Sequence, residues 1–282
     1  MLRVRFWFIF SVKLRGETVK IERIASKNND NIKKISKLFK SSSYRKQEGL
    51  FVVEGLRLCM DAVVSDNEFS TLLVTDRFIA EHNSEYEKLI RNAGTVYIIA
   101  NDIMQKLSDT VTPQGVIGVI EVCEREFSFE KNGKYLALVN LQDPSNIGAA
   151  ARTAEALGLS GLIVCGGCDI YNPKVLRASM GAFFRMNVRT YDTAENMLSD
   201  LKSKGIHTFA STPRDTVEPI YKCNFNSACA VLIGNEANGL PDDIIANCDR
   251  MITIPMAGRA ESLNASAAAA IICYAVMNGG RA

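Results

Sequence analysis

From Tyr135 onward, short apolar runs alternate with amphipathic stretches. This regularity constrains the fold more than any other feature of the chain. Strands are predicted at Leu136–Leu141, Gly161–Cys165, Asn187–Tyr191, His207–Ser211, Ala228–Ile233 and Met251–Ile254. Helices are predicted at Ile147–Leu157, Lys174–Phe183, Ala194–Lys204 and Ser262–Met277. Strands separated by helices give a mostly parallel sheet covered on both faces. Ligands of such sheets sit in loops beyond the strand C-terminal ends, so chemistry is sought there.

Upstream, a smaller α/β pattern spans 21–123. A helix with Ile32, Ile35, Leu38 and Phe39 on one face starts near Ser26, a possible cap, and breaks at Ser41–Ser43. Strands follow at Leu50–Val53, Leu72–Thr75, Val96–Ala100 and Val116–Cys123, with helices at Arg57–Val64, Ile79–Asn92 and Asp102–Ser108. The polar segment 124–134, with an Asn132-Gly133 turn, reads as the linker to the domain at 135–282. Residues 1–20 read as an extension of unknown role. Their apolar run Phe6–Phe10 is too short to span a bilayer, and no small-residue cleavage site follows it.

Charge is distributed unevenly. Residues 1–46 carry 13 Lys/Arg against 3 Asp/Glu, whereas the remaining 236 residues carry 20 against 28. A basic end on a mildly acidic chain suits a polyanionic partner or a solvated helix face, and charge alone does not separate the two. The eight cysteines are scattered, and several lie inside apolar runs, as reduced thiols of a cytoplasmic protein do. The one CxxC, Cys165 to Cys168, lacks the second ligand pair that zinc needs, and only His82 and His207 are present.

Three loops carry candidate chemistry. DPSNIGAAARTAEALG follows the Leu136–Leu141 strand. Asp143 and Asn146 are cap residues there, and Gly148 permits close approach. Arg152 is six residues beyond Asn146, off its helical face, yet long enough to reach back and grip a phosphate. LIGNEANGL follows the Ala228–Ile233 strand, with Gly234 open to a ligand or a second backbone and Glu236 at the ligand edge. IPMAGRAESLNASAAAA follows the Met251–Ile254 strand. Ser262 there is a predicted cap, Asn264 and Ser266 lie in the first helical turn, and Ala267–Ala270 calls for a tightly packed neighbour. No GxGxxG, Walker loop or HExxH occurs.

Taken in order, these segments resemble the three motifs of the SpoU (TrmH-type) RNA ribose methyltransferases of the SPOUT superfamily. The resemblance covers 135–282, and RKQEGLFVVEG at 45–55 is similar to that family's substrate-binding domain. It implies a parallel-sheet α/β fold with a C-terminal trefoil knot, an N-terminal α/β RNA-binding domain and a homodimer. S-adenosylmethionine is the implied methyl donor, with no metal and no membrane. Gly234, Ile254, Met256 and Leu263 are implied to hold the cofactor. Arg152 is implied to help deprotonate the 2′-hydroxyl or to clamp a phosphate; Asn146, Glu236, Ser262 and Asn264 position the ribose. Ribosomal RNA, at a guanosine of 23S RNA, is preferred over transfer RNA. The alternatives are a transfer RNA methyltransferase, a non-catalytic RNA-binding assembly factor, and a metabolic enzyme using another nucleotide.

Overall fold

The computed structural model of the chain describes residues 10–14, 17–123, 126–214 and 216–279. It divides into two units, 1–124 with 171–173, and 125–170 with 174–282.

The first unit contains strands β1 (Phe10–Leu14), β2 (Glu17–Ile24), β3 (Leu50–Glu54), β4 (Phe69–Thr75), β5 (Ala93–Ile99) and β6 (Val116–Glu121). They form one sheet in the order β1-β2-β5-β4-β6-β3. The parallel pairs are β2 with β5 and β5 with β4; the others are antiparallel. Helices α1 (Asp30–Lys40), α2 (Ser42–Glu48), α3 (Leu56–Val64), α4 (Asp76–Glu81), α5 (Asn83–Ile90) and α6 (Asn101–Leu107) connect them. The apolar face of α1, Ile32, Ile35, Leu38 and Phe39, packs with Ile103, Met104 and Leu107 of α6 against Val52, Leu73, Ile99, Ile117 and Val119 of the sheet.

Several expectations are corrected here. Asn29 rather than Ser26 caps α1, accepting from the Asn31 amide. Ser41 ends α1 and, through its hydroxyl, caps α2. The helix predicted at 79–92 is two helices, α4 and α5, separated at His82. Residues 10–14 and 17–20, expected in an extension, form strands β1 and, with 21–24, β2, which pair with each other. The apolar run over 6–9 lies outside the described residues. No described helix is long and apolar enough to cross a membrane.

The second unit is built on an all-parallel, seven-stranded sheet. Its strands are β7 (Lys134–Val139), β8 (Gly161–Cys165), β9 (Val188–Tyr191), β10 (His207–Ser211), β11 (Glu218–Pro219), β12 (Cys229–Ile233) and β13 (Arg250–Thr253), in the order β11-β13-β10-β12-β7-β8-β9. Its helices are α7 (Pro144–Ala156), α8 (Pro173–Ser179), α9 (Ala182–Arg185), α10 (Ala194–Ser203), α11 (Asp242–Ala246) and α12 (Ala265–Met277). One sheet face packs on α10 and α11 through Met197, Leu201, Ile244 and Ile245. Phe127 and Phe129, from the segment read as a linker, pack against that same cluster. Helices α7 and α12 lie against each other, with α12 also against the central strands β7 and β12 and α7 against β8. Of the predicted alanine run, Ala269 is buried, while Ala267 faces outward.

Candidate active site

The sheet order decides which loops meet. Strands β13, β10, β12 and β7 are consecutive and parallel, so the segments leaving their C-terminal ends share one edge. These are residues 140–143, 211–213, 234–240 and 254–264. The first, third and fourth are the loops singled out from the sequence.

Helix α7 begins at that edge. Asp143 is its N-cap, accepting from the Ser145 amide at 2.8 Å, and Pro144 takes a first-turn position where its missing N–H costs nothing. Asn146, 5% exposed, therefore points from the first turn rather than capping it. Its Nδ2 donates to Glu236 Oε1 at 2.9 Å, and its Oδ1 accepts from Asn264 Nδ2 at 3.0 Å. Glu236 also accepts from the backbone amides of Gln142 and Asp143, each at 3.2 Å. Asn264 Oδ1 in turn caps α12, accepting from the amides of Ser266 and Ala267 at 2.9 and 3.3 Å. One buried amide thus bridges a carboxylate and a helix cap drawn from three separate loops.

Glu236 titrates below the ordinary carboxylate range. Burial pushes its pKa up, but the hydrogen bonds from Asn146 and from the backbone amides of Glu236, Gln142 and Asp143 outweigh that effect. The positive end of the α7 dipole favours the anion as well.

The Gly234 loop is held closed on itself. A Cβ at Gly234 would lie 2.2 Å from the Gly239 carbonyl carbon and 2.3 Å from the Leu240 nitrogen, so a second backbone occupies the space that only glycine leaves. Asn235 fastens this loop to the end of β7. Its Nδ2 donates to Asn140 O at 3.0 Å, and its Oδ1 accepts from the Ala237 and Asn238 amides. Asn140 itself has a φ of 56°, a left-handed conformation uncommon outside glycine.

Ile254 and Met256 are half-buried after β13, while Ser262 and Leu263 are exposed ahead of α12. The predicted capping by Ser262 is not made; Asn264 does it. Arg152 lies on the exposed side of α7 and has no hydrogen-bond or ion-pair partner among the described residues, so the reach back toward Asn146 is not made. The structure thus joins Asn146, Glu236 and Asn264 directly, sets Gly234, Ile254, Met256, Ser262 and Leu263 along the same edge, and leaves Arg152 apart on α7.

The sequence reading passed over the end of β10, which lies between β12 and β13. Ser211 Oγ donates to Leu232 O at 2.7 Å, and the Thr212 amide to Ile252 O at 2.9 Å. Thr253, 3% exposed at the end of β13, has a hydroxyl with no hydrogen-bond partner among the described residues. A buried orphan oxygen beside Ile254 and a loop edge rich in backbone polar groups fit a polar, nucleoside-like ligand.

Fold and site define an α/β domain with a ligand edge that lacks a dinucleotide fingerprint, joined to a second α/β unit. Comparison with known proteins makes this specific. Residues 133–274 match the SpoU rRNA Methylase family, and residues 29–118 match an MRM3-like substrate binding domain. The chain belongs to the SpoU rRNA Methylase family. It is similar to a 23S rRNA (guanosine(2553)-2'-O)-methyltransferase of Bacillus subtilis, with 28% identity over 90% of this chain and 98% of that one. A 23S rRNA (uridine(2479)-2'-O)-methyltransferase of Streptomyces viridochromogenes is 29% identical over 92% of this chain and 93% of that one. Among solved structures, an AdoMet-bound rRNA methyltransferase from Sinorhizobium meliloti superposes with a TM-score of 0.82 at 26% identity, covering 92% of this chain and 98% of that chain.

Proposed function

We propose that this protein transfers a methyl group from S-adenosylmethionine to a ribose 2′-hydroxyl of 23S ribosomal RNA, with guanosine the favoured nucleotide. The observation that carries this reading is the Glu236–Asn146–Asn264 bridge, which gathers the three motif segments at one sheet edge. The names of the Bacillus and Streptomyces relatives support the substrate.

When bound, S-adenosylmethionine supplies an activated methyl group on sulfur. Gly234, Ile254, Met256 and Leu263, along 234–264, would hold it. Asn146, Glu236 and Asn264 tie the starts of α7 and α12 together at one edge of the sheet. Alignment of the 2′-hydroxyl with the methyl group then supplies much of the rate. Arg152 and Ser262, both exposed, meet the RNA. An arginine with a pKa above ~12 is a poor base, so Arg152 is assigned to orient the ribose through its phosphate and to stabilise the developing alkoxide, whose proton passes to solvent.

The functional particle is a homodimer in the cytoplasm, its catalytic sheet closed by a trefoil knot through which α12 passes. The outer side of α12 supports the second copy: Ile271, Tyr274 and Met277 form an exposed apolar stripe at helical spacing, with Leu263 just ahead of it.

The test is transfer of tritiated methyl groups to separated 23S, 16S and transfer RNA. The expected product is a 2′-O-methylnucleoside in the 23S pool alone. Arg152→Ala lowers kcat about 100-fold with cofactor binding retained. Label in transfer RNA alone would move the enzyme to that substrate. Cofactor binding without transfer to any RNA would point to an assembly factor.

A further inference from the structure

Helix α1 is amphipathic with an unusual outer side. Its buried residues, Ile32, Ile35, Leu38 and Phe39, define one face; Lys33, Lys34, Lys37 and Lys40 occupy the opposite one, all exposed. The basic residues with described side chains before Lys34 are each matched to a carboxylate. Lys20 pairs with Glu22, Arg23 with Asp76 at 2.7 Å, Lys27 with Asp102 at 2.8 Å and Lys33 with Asp30 at 3.0 Å. The next lysines in the chain, Lys34, Lys37, Lys40 and Lys46, have no ion pair among the described residues. Arg45, which falls among them, is buried and donates to the Leu38 carbonyl at 2.6 Å, so it serves the fold.

The two helices present these lysines together. Ser41 ends α1 and starts α2 without a loop, and Lys37 Nζ lies 5.4 Å from the centre of the Tyr44 ring. The surface therefore runs from α1 onto α2, where Ser42, Ser43 and Lys46 are exposed. Helix dipoles favour Lys37 and Lys40 in the last turn of α1. They do not account for Lys34, which feels the Asp30 carboxylate only at longer range than Lys33 does, nor for the absence of ion-pair partners at Lys37, Lys40 and Lys46 among the described residues. Like charges at helical spacing repel, so the face is suited to an anion array brought by a partner.

We infer that Lys34, Lys37, Lys40 and Lys46 form the docking face for the sugar–phosphate backbone of the substrate RNA. The inference rests on the proposed RNA methylation and on the match of 29–118 to a substrate binding domain. Flexible ammonium groups contact phosphates as point charges and carry no base readout. The face therefore supplies affinity and register, and selection of the nucleotide falls to the catalytic unit.

The experiment measures binding of the full-length protein to a 23S rRNA transcript and to an unrelated duplex RNA, across salt concentrations. The test variant is Lys34→Gln with Lys37→Gln and Lys40→Gln. The control removes equal charge elsewhere on the unit: Lys88→Gln with Arg91→Gln and Lys106→Gln. The expected result is a loss of at least ~10-fold in affinity for both RNAs, with the slope of log K against log salt reduced by about 2–3. KM for RNA rises, while kcat at saturating RNA and S-adenosylmethionine affinity are unchanged; Lys46→Gln extends the loss. Unchanged affinity and slope, or an equal loss in the control, would overturn the assignment. So would a loss confined to the 23S transcript, which would mean base readout. Failure of the methylation reading shows separately, as wild-type protein that transfers no methyl group.

Discussion

Asn146 is the residue on which the site turns, because its amide is a donor on one side and an acceptor on the other. Asn146→Asp keeps the shape and removes the donor, setting a second carboxylate against Glu236. The expected cost is about 2–3 kcal/mol at pH 7, read as a lower denaturation midpoint. In the wild type the Glu236 pKa is depressed, so its contribution is present above about pH 4.3, the unfolded value, and is lost as pH falls through the folded value. In the variant the two carboxylates share a site, and acid relieves them by protonating one. The stability gap between the proteins should therefore narrow below about pH 5; a gap constant with pH would contradict the bridge. The thiols give a second check at this scale. Burial pushes Cys59 and Cys273 up to about 12 and Cys229 up to about 11. At pH 8 the native protein should react with a thiol reagent first at the exposed Cys123, and at these buried positions only on unfolding.

Among elements, the contact of α7 with α8 is the tightest to test. A Cβ on Gly148 would lie 2.4 Å from Ala178 Cβ and 2.6 Å from the Val175 carbonyl, so backbone itself would have to move. Gly148→Ala is expected to cost about 1–3 kcal/mol despite the better helix propensity of alanine, measured by chemical denaturation. The legibility of the elements has a physical pattern. The strands Gly161–Cys165 and His207–Ser211 agree with the sequence reading residue for residue: GLIVC is an apolar run that ends at Gly166, and HTFAS is bounded by Gly205 and Pro213. Strand β2 was missed because ETVKIERI mixes charge with its apolar residues and is followed by a helical pattern. The split at His82 carries no glycine or proline to announce it. In the site, the motif segments were readable but their bonding was not. Asn146 lies 90 residues from Glu236 and 118 from Asn264, and no local rule links such positions. The choice of Asn264 over Ser262 as cap follows from that same bond, since the side chain that reaches Asn146 is the one placed at the helix start.

For the whole molecule, the outer side of α12 predicts the oligomeric state. Tyr274→Glu with Ile271→Asp should convert the proposed dimer to a monomer in analytical ultracentrifugation, without lowering the thermal stability of the single chain, since neither residue is buried within it. The sheet order has a consequence in time. Strand β7 pairs with β12, and β10 with both β12 and β13, so the centre of the sheet cannot close until the chain through residue 253 exists. Asn264 then completes the bridge to Asn146. Pairings this distant in sequence are slow, because loop entropy is lost before contacts repay it. A ribosome making this protein therefore has no partial enzyme on it at any point. Competence arrives in one step once Asn264 has been made, and until then the apolar strands need shelter from aggregation.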